Sequence, residues 1–251
     1  MVDRREDQAS GLRRMFGRPA LYALGVAGEG STAVTMSLAG ALARQGQRVL
    51  ILDRNRGEAA SALNLRARYE LAQALDGDIR IADALVESPE GIGVLPAMRG
   101  LDRLAQGGAD WRRNLEALLA PVAPPYNAWL VNGIPPPGSD ADVLLVVAPT
   151  QSAIKETYAQ IKTLNREARR GAMRVVVDRA RSESVALTAF TSVAETARRF
   201  LGARLECLGY LPRDERAAGA GRADFDSPRG HAFMRLAETV APATLRRAFA
   251  G

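Results

Sequence analysis

Short apolar runs alternate along the chain with stretches in which apolar residues recur every three or four positions. The runs fall at residues 20–24, 48–52, 92–96, 128–132, 143–147, 174–177 and 205–211. Each is too short for a buried helix, and turn-forming residues bound several of them, such as Ser88-Pro89-Glu90-Gly91 and Pro135-Pro136-Pro137-Gly138. Between them, helical spacing predicts helices up to Gly46 and over residues 69–75, 79–86, 111–119, 152–168 and 184–200. In the fourth of these, Trp111, Leu115, Leu118 and Leu119 share one face. Strands without polar alternation, separated by helices, predict an α/β fold: a mostly parallel sheet with helices on both faces.

The first strand runs into Gly25-Val26-Ala27-Gly28-Glu29-Gly30-Ser31-Thr32, then a helix, then Val49-Leu50-Ile51-Leu52 and Asp53. Strand, glycine loop, helix, strand, acid is the opening unit of a nucleotide-binding sheet. Glycines let the backbone approach a phosphate, and the helix N-terminus offers unpaired N–H groups and partial positive charge. A phosphate-binding loop of the ATPase kind also needs a lysine immediately before its Ser/Thr. Ser31 stands there, Glu29 puts a carboxylate in the loop, and the first lysine of the chain is Lys155.

Composition narrows this little. At 251 residues, 47% hydrophobic and 25% charged, the chain suits one large globular domain. Residues 1–19 lack the apolar core of a signal peptide, and no run reaches the roughly 20 apolar residues of a membrane span. Cytoplasmic location is the expectation, or a peripheral position at the inner membrane or cell pole. Cys207 is a lone cysteine and His231 the one histidine, in a polar Arg-Gly-His segment, so cysteine or histidine chemistry has little material. The net charge of +6 raises nucleic acid as a partner. The basic residues are almost all arginines scattered in pairs, which favours no specific nucleic-acid contact.

The two ends read differently from the middle. Residues 1–19 form a charged segment in which Ala9, Leu12 and Phe16 fall at helical spacing before Gly17 and Pro19. A helix so short needs something to pack against. We divide the chain into this segment and an α/β domain over 20–251. In the tail, Phe233, Leu236, Ala237 and Val240 make a thin stripe broken by Pro242, better suited to docking on the domain than to a membrane.

The loop, the strand ending in Asp53 and the element order resemble the MinD/ParA family of deviant-Walker ATPases. Asp7-Gln8-Ala9-Ser10-Gly11-Leu12-Arg13 is similar to the DQAxxLR signature of its flagellar-number branch, FlhG or FleN. The likeness extends through Tyr69-Glu70-Leu71, Val94-Leu95-Pro96 and Leu208-Gly209-Tyr210-Leu211-Pro212. It assigns Gly28, Gly30, Ser31 and Thr32 to the phosphate loop and matches Thr32 and Asp53 to Mg²⁺ contacts. Asn132 falls where the Walker B acid stands, and Asp178 where an asparagine reads adenine. Against that pattern Val26 and Ser31 replace both lysines, and Asn55 replaces the acid that orients water.

The resemblance therefore implies a pseudo-ATPase, with ATP or ADP and Mg²⁺, or no nucleotide at all, as its ligand state. It implies an ATP-closed homodimer that sits on membrane through its C-terminal helix, but the missing lysine leaves the dimer open and the thin tail stripe argues for weak or no membrane contact. It also implies stimulation of an FlhF-like GTPase by residues 1–19. There Gln8 reaches the GTPase site, Ala9 and Leu12 lie on the apolar side, and Asp7 and Arg13 flank them. Flagellar switch or transcription-regulator proteins are further partners it suggests. Three other readings stay open at this point. A working ATPase could draw its cation from Arg54 or Arg56. A short-chain dehydrogenase would use Gly25, Gly28, Gly30 and Asp53 for a dinucleotide and Tyr158 with Lys162 for proton transfer. A ParA-like protein would use its basic charge on DNA.

Overall fold

The computed structural model describes residues 23–108, 111–137, 139, 141–166, 172–214 and 223–240. Within them the strands are β1 (Ala23–Gly28), β2 (Val49–Asp53), β3 (Val86–Glu87), β4 (Ile92–Pro96), β5 (Ala128–Asn132), β6 (Asp142–Val147), β7 (Met173–Ala180) and β8 (Glu206–Pro212). They form one sheet in the order β3-β4-β2-β5-β1-β6-β7-β8, parallel throughout except for the short β3 at one edge.

The pleat sends alternate residues of each strand into different layers. Val49 and Ile51 of β2 join a core with Leu24, Val26, Ile92, Val94 and Leu130, whereas Leu50 and Leu52 pack on the opposite face with Leu95, Trp129 and Val131. On the first face lie α1 (Ser31–Arg44), α2 (Glu58–Ala62) and α9 (Pro228–Val240). The second face carries α3 (Leu71–Leu75), α4 (Ile81–Ala84), α5 (Met98–Gln106) and α6 (Trp111–Leu119). Further along that face α7 (Gln151–Arg166) and α8 (Glu183–Leu201) cover Val143, Leu145, Val175 and Val177. The expected architecture, a mostly parallel sheet covered on both sides, is the one observed.

Differences from the sequence reading are local. The first strand is centred later than residues 20–24, and β7 runs three residues beyond 177, which brings Asp178 and Arg179 to the sheet's end. Helices α2 and α5 have no counterpart in the periodicity reading. The first is a single short turn, and the second is strongly amphipathic but carries three charged residues among nine, Arg99, Asp102 and Arg103.

The tail stripe docks on the domain. Phe233, Leu236, Ala237 and Val240 are buried against α1, with Phe233 fully enclosed. Phe233→Ala is expected to cost about 3–5 kcal/mol, since it leaves a ring-sized void in a packed core. Urea unfolding should show this as a lower midpoint with an unchanged slope. No helix among the described residues is long and apolar enough to cross a membrane.

Candidate functional site

β1 and α1 are joined by Glu29 and Gly30 alone. Gly28 has φ +120° and Gly30 φ +78°, conformations that residues with a Cβ rarely adopt. A Cβ on Gly28 would stand 2.2 Å from the carbonyl oxygen of Val146 on β6, its neighbour in the sheet. No side chain among the described residues caps α1, so its first-turn N–H groups offer the loop an anion cradle. The curvature of a phosphate loop is therefore present. Its side chains are arranged for something else.

Asp53 ends β2 and is buried, with no ion-pair partner among the described residues. Its Oδ1 accepts from the backbone N–H of Asn55 at 2.9 Å and from Asn132 Nδ2 at 2.9 Å, and its Oδ2 from the N–H of Ala59 at 3.0 Å. An ionised carboxylate only accepts, so the Asn132 amide must turn its nitrogen toward it. That same nitrogen donates to Thr32 Oγ1 at 3.2 Å, and Asn55 Nδ2 donates to Thr32 Oγ1 at 3.1 Å. Thr32 in turn donates to Glu58 at 2.8 Å. Thr35 closes the network, bonding the carbonyl of Ser31 and Asn132 Oδ1.

This donor set does not fit Mg²⁺. A hard cation takes oxygen ligands, and here two amide N–H groups point at the hydroxyl that would ligate it. Thr32, Asp53, Asn55 and Asn132 satisfy one another instead. Among the described residues no group of three or more His, Cys, Asp or Glu is placed to hold a metal. Asp53→Ala would take the acceptor from three N–H donors at once, two of them in buried bonds. We expect a loss of about 3 kcal/mol, measured by urea unfolding.

The opposite wall of the loop comes from β7. Arg179 donates to Glu29 at 2.8 Å and lies 3.4 Å from Asp178. That hydrogen bond, opposed by lost hydration and aided by the charges of Asp178 and Glu29, raises the arginine's pKa further. Arg179 holds φ +56°, a strained backbone for a residue with a Cβ. Asp178 is buried and accepts from Arg229 of α9 at 2.7 Å, while Arg229 also donates to the carbonyl of Pro212 at 2.8 Å. The Asp178 carboxylate comes within 3.7 Å of a Cβ built on Gly30.

The structure thus brings Gly28, Gly30, Ser31, Thr32, Asp53, Asn132 and Asp178 to one end of the sheet. Asp7, Gln8, Ala9, Leu12 and Arg13 lie outside the described residues. Arg54 supplies no cation to the loop, because it pairs with Asp102 and with the carbonyl of Ile134. Arg56 lines a groove on the other side of Asp53. Glu58, Thr35, Arg179 and Arg229 escaped the sequence reading. Only the adjacency of Arg179 to Asp178 could have hinted at one of them. Tyr158 is half-buried and Lys162 exposed, both on α7.

Residues 23–223 match the family model described as the CobQ/CobB/MinD/ParA nucleotide binding domain, so the chain belongs to that family. Its branch is the FlhG (FleN) one. The antiactivator FleN of Pseudomonas aeruginosa is 31% identical over 236 residues, covering 86% of this chain and 83% of FleN. The MinD cell division protein of Aquifex aeolicus superposes with a TM-score of 0.67 at 23% identity, over 88% of this chain and 96% of that one. Cobyrinic acid a,c-diamide synthase of Mycobacterium smegmatis, solved with an ATP analogue and magnesium, gives a TM-score of 0.64 at 19% identity, over 92% and 97%. Those two likenesses concern the fold. Membership of this family removes the support for the dehydrogenase reading of Tyr158 and Lys162.

Proposed function

We infer that this FlhG-like regulator controls flagellar number or placement through protein contacts, with a nucleotide site that no longer hydrolyses ATP at a useful rate. One observation carries the reading: Asn55 and Asn132 aim amide hydrogens at Thr32, where phosphoryl transfer requires a metal and its acidic supports. The loop adds Glu29 and no lysine, so a triphosphate there would meet like charge. Residues 1–19 supply the active arm, presenting Gln8 to an FlhF-like GTPase. The relative's description as an antiactivator supports a transcription regulator as a second partner. The protein is cytoplasmic or peripheral at the inner membrane or pole, and forms a homodimer if nucleotide still binds.

Calorimetric titration with ATP and ADP, with and without Mg²⁺, tests this together with phosphate release. We expect any binding to be indifferent to Mg²⁺ and phosphate release to stay at background. Turnover that requires Mg²⁺ and disappears in Thr32→Ala would overturn the reading. A working ATPase is the second reading, favoured by the position of Arg179 beside the loop. It predicts that Arg179→Ala abolishes a turnover present in the unaltered chain.

A further inference from the structure

On the far side of Asp53 from the loop, an open groove of about 630 Å³ lies at the C-terminal ends of β2 and β4. Leu65, Ala97 and Met98 give its lining an apolar part, and Tyr69, also in the lining, is 38% exposed. Four arginines line it: Arg56, Arg66, Arg68 and Arg99. All four are exposed.

Its two carboxylates are already used within the fold. Asp53 is occupied by three N–H donors. Glu70 caps α3 through the N–H of Ala72, accepts from the N–H of Gly100, and lies 3.6 Å from Arg99. Arg56, Arg66 and Arg68 have no ion-pair or hydrogen-bond partner among the described residues. These three guanidinium groups are therefore open to an anionic partner. Their planar forks match carboxylates in pairs of hydrogen bonds.

We propose that this groove receives an acidic segment of a partner protein, its carboxylates on Arg56, Arg66 and Arg68 and an apolar side chain against Leu65 and Met98. The position is outside the carboxyl ends of parallel strands, where open α/β sheets take their ligands. The volume suits a few side chains rather than a folded domain. Tyr, Met and Arg are also the residue types enriched in protein interfaces. The chain's own ends are poor occupants: residues 1–19 carry five arginines against three acids, and residues 241–251 two arginines and no acid. Duplex nucleic acid is disfavoured too, because it needs cations tracking a backbone rather than sharing a groove with apolar side chains. The inference rests on the reading of a chain that acts by contact, and gives that reading a partner chemistry.

Fluorescence anisotropy tests it with the full chain and a fluorescein-labelled peptide of glutamates flanking a central leucine. We expect saturable binding, lost when the glutamates become glutamines. The Arg66→Glu/Arg68→Glu chain should bind at least about tenfold more weakly, while Arg198→Glu/Arg199→Glu on α8 stays within about twofold. Should the first variant fail to fold by circular dichroism, Arg68→Gln and Tyr69→Ala singly must each weaken binding. Equal binding by the groove variants overturns the proposal. So does displacement of the label by tripolyphosphate or a short DNA duplex at lower concentration than the unlabelled peptide. Gln8→Ala should leave peptide binding unchanged while impairing GTPase stimulation, so the two readings fail separately.

Discussion

Gln8→Ala is expected to lower the stimulated GTP turnover of a cognate FlhF-like GTPase by about 100-fold, the cost of losing a water-positioning contact at a reacting phosphate. Thermal unfolding of the Gln8→Ala chain, measured alongside, separates loss of the contact from loss of the fold. Two properties of the segment set the form of the experiment. In the proposed function Ala9, Leu12 and Phe16, at helical spacing in the sequence, are the apolar docking positions, so Leu12→Asp is expected to raise the concentration needed for half-maximal stimulation. In the proposed function the glutamine contributes to the chemistry, so Gln8→Ala is expected to depress the plateau instead. A synthetic peptide of residues 1–19 should stimulate only at higher concentration, since so short a helix is marginal alone. If that peptide and the Gln8→Ala chain give the same unstimulated rate, the N-terminal segment is not the activating arm.

The second large effect is structural. Gly28→Ala should destabilise the domain by about 4 kcal/mol or more, among the severest of single substitutions. In a chain of this size that is a fall in Tm of roughly 10 °C. The new methyl group meets the Val146 carbonyl oxygen at 2.2 Å, and both atoms belong to central strands of the sheet. Neither can withdraw without parting β1 from β6, and φ +120° adds backbone strain. Gly30→Ala is the control. Its φ of +78° is also unfavourable, but the nearest atom to its Cβ is an Asp178 oxygen at 3.7 Å, so a loss of about 1 kcal/mol is expected. Equal losses for the two would place the constraint in the turn rather than in the sheet. The comparison matters for function, because it separates a glycine kept by packing from one kept for phosphate. A glycine loop of correct shape is then no sign of nucleotide turnover.

Legibility varied with the range of the interaction. The strands at 92–96, 128–132 and 143–147 were readable because a buried parallel strand is a nearly continuous apolar run. The helix over 111–119 was readable from one face, and Trp111, Leu115 and Leu119 are indeed buried. Helix α2 was not, being a single turn whose sequence Glu-Ala-Ala-Ser-Ala has no apolar period to detect. Yet its first residue, Glu58, holds Thr32, and its Ala59 N–H holds Asp53.

The missing lysines, the amides at 55 and 132 and the shape of the loop were determined by the sequence alone, because they follow from residue type at short spacing. What fills the lost chemistry was decided only by tertiary structure. Arg179 reaches Glu29 across 150 positions of chain, Arg229 reaches Asp178 from a different helix, and Asn132 reaches Thr32 across 100. Arg54, next to Asp53 in sequence, is drawn away by Asp102. Periodicity reports which face a residue turns inward. Which charges meet at the end of a sheet depends on strand order, and strand order is settled by packing over the whole domain.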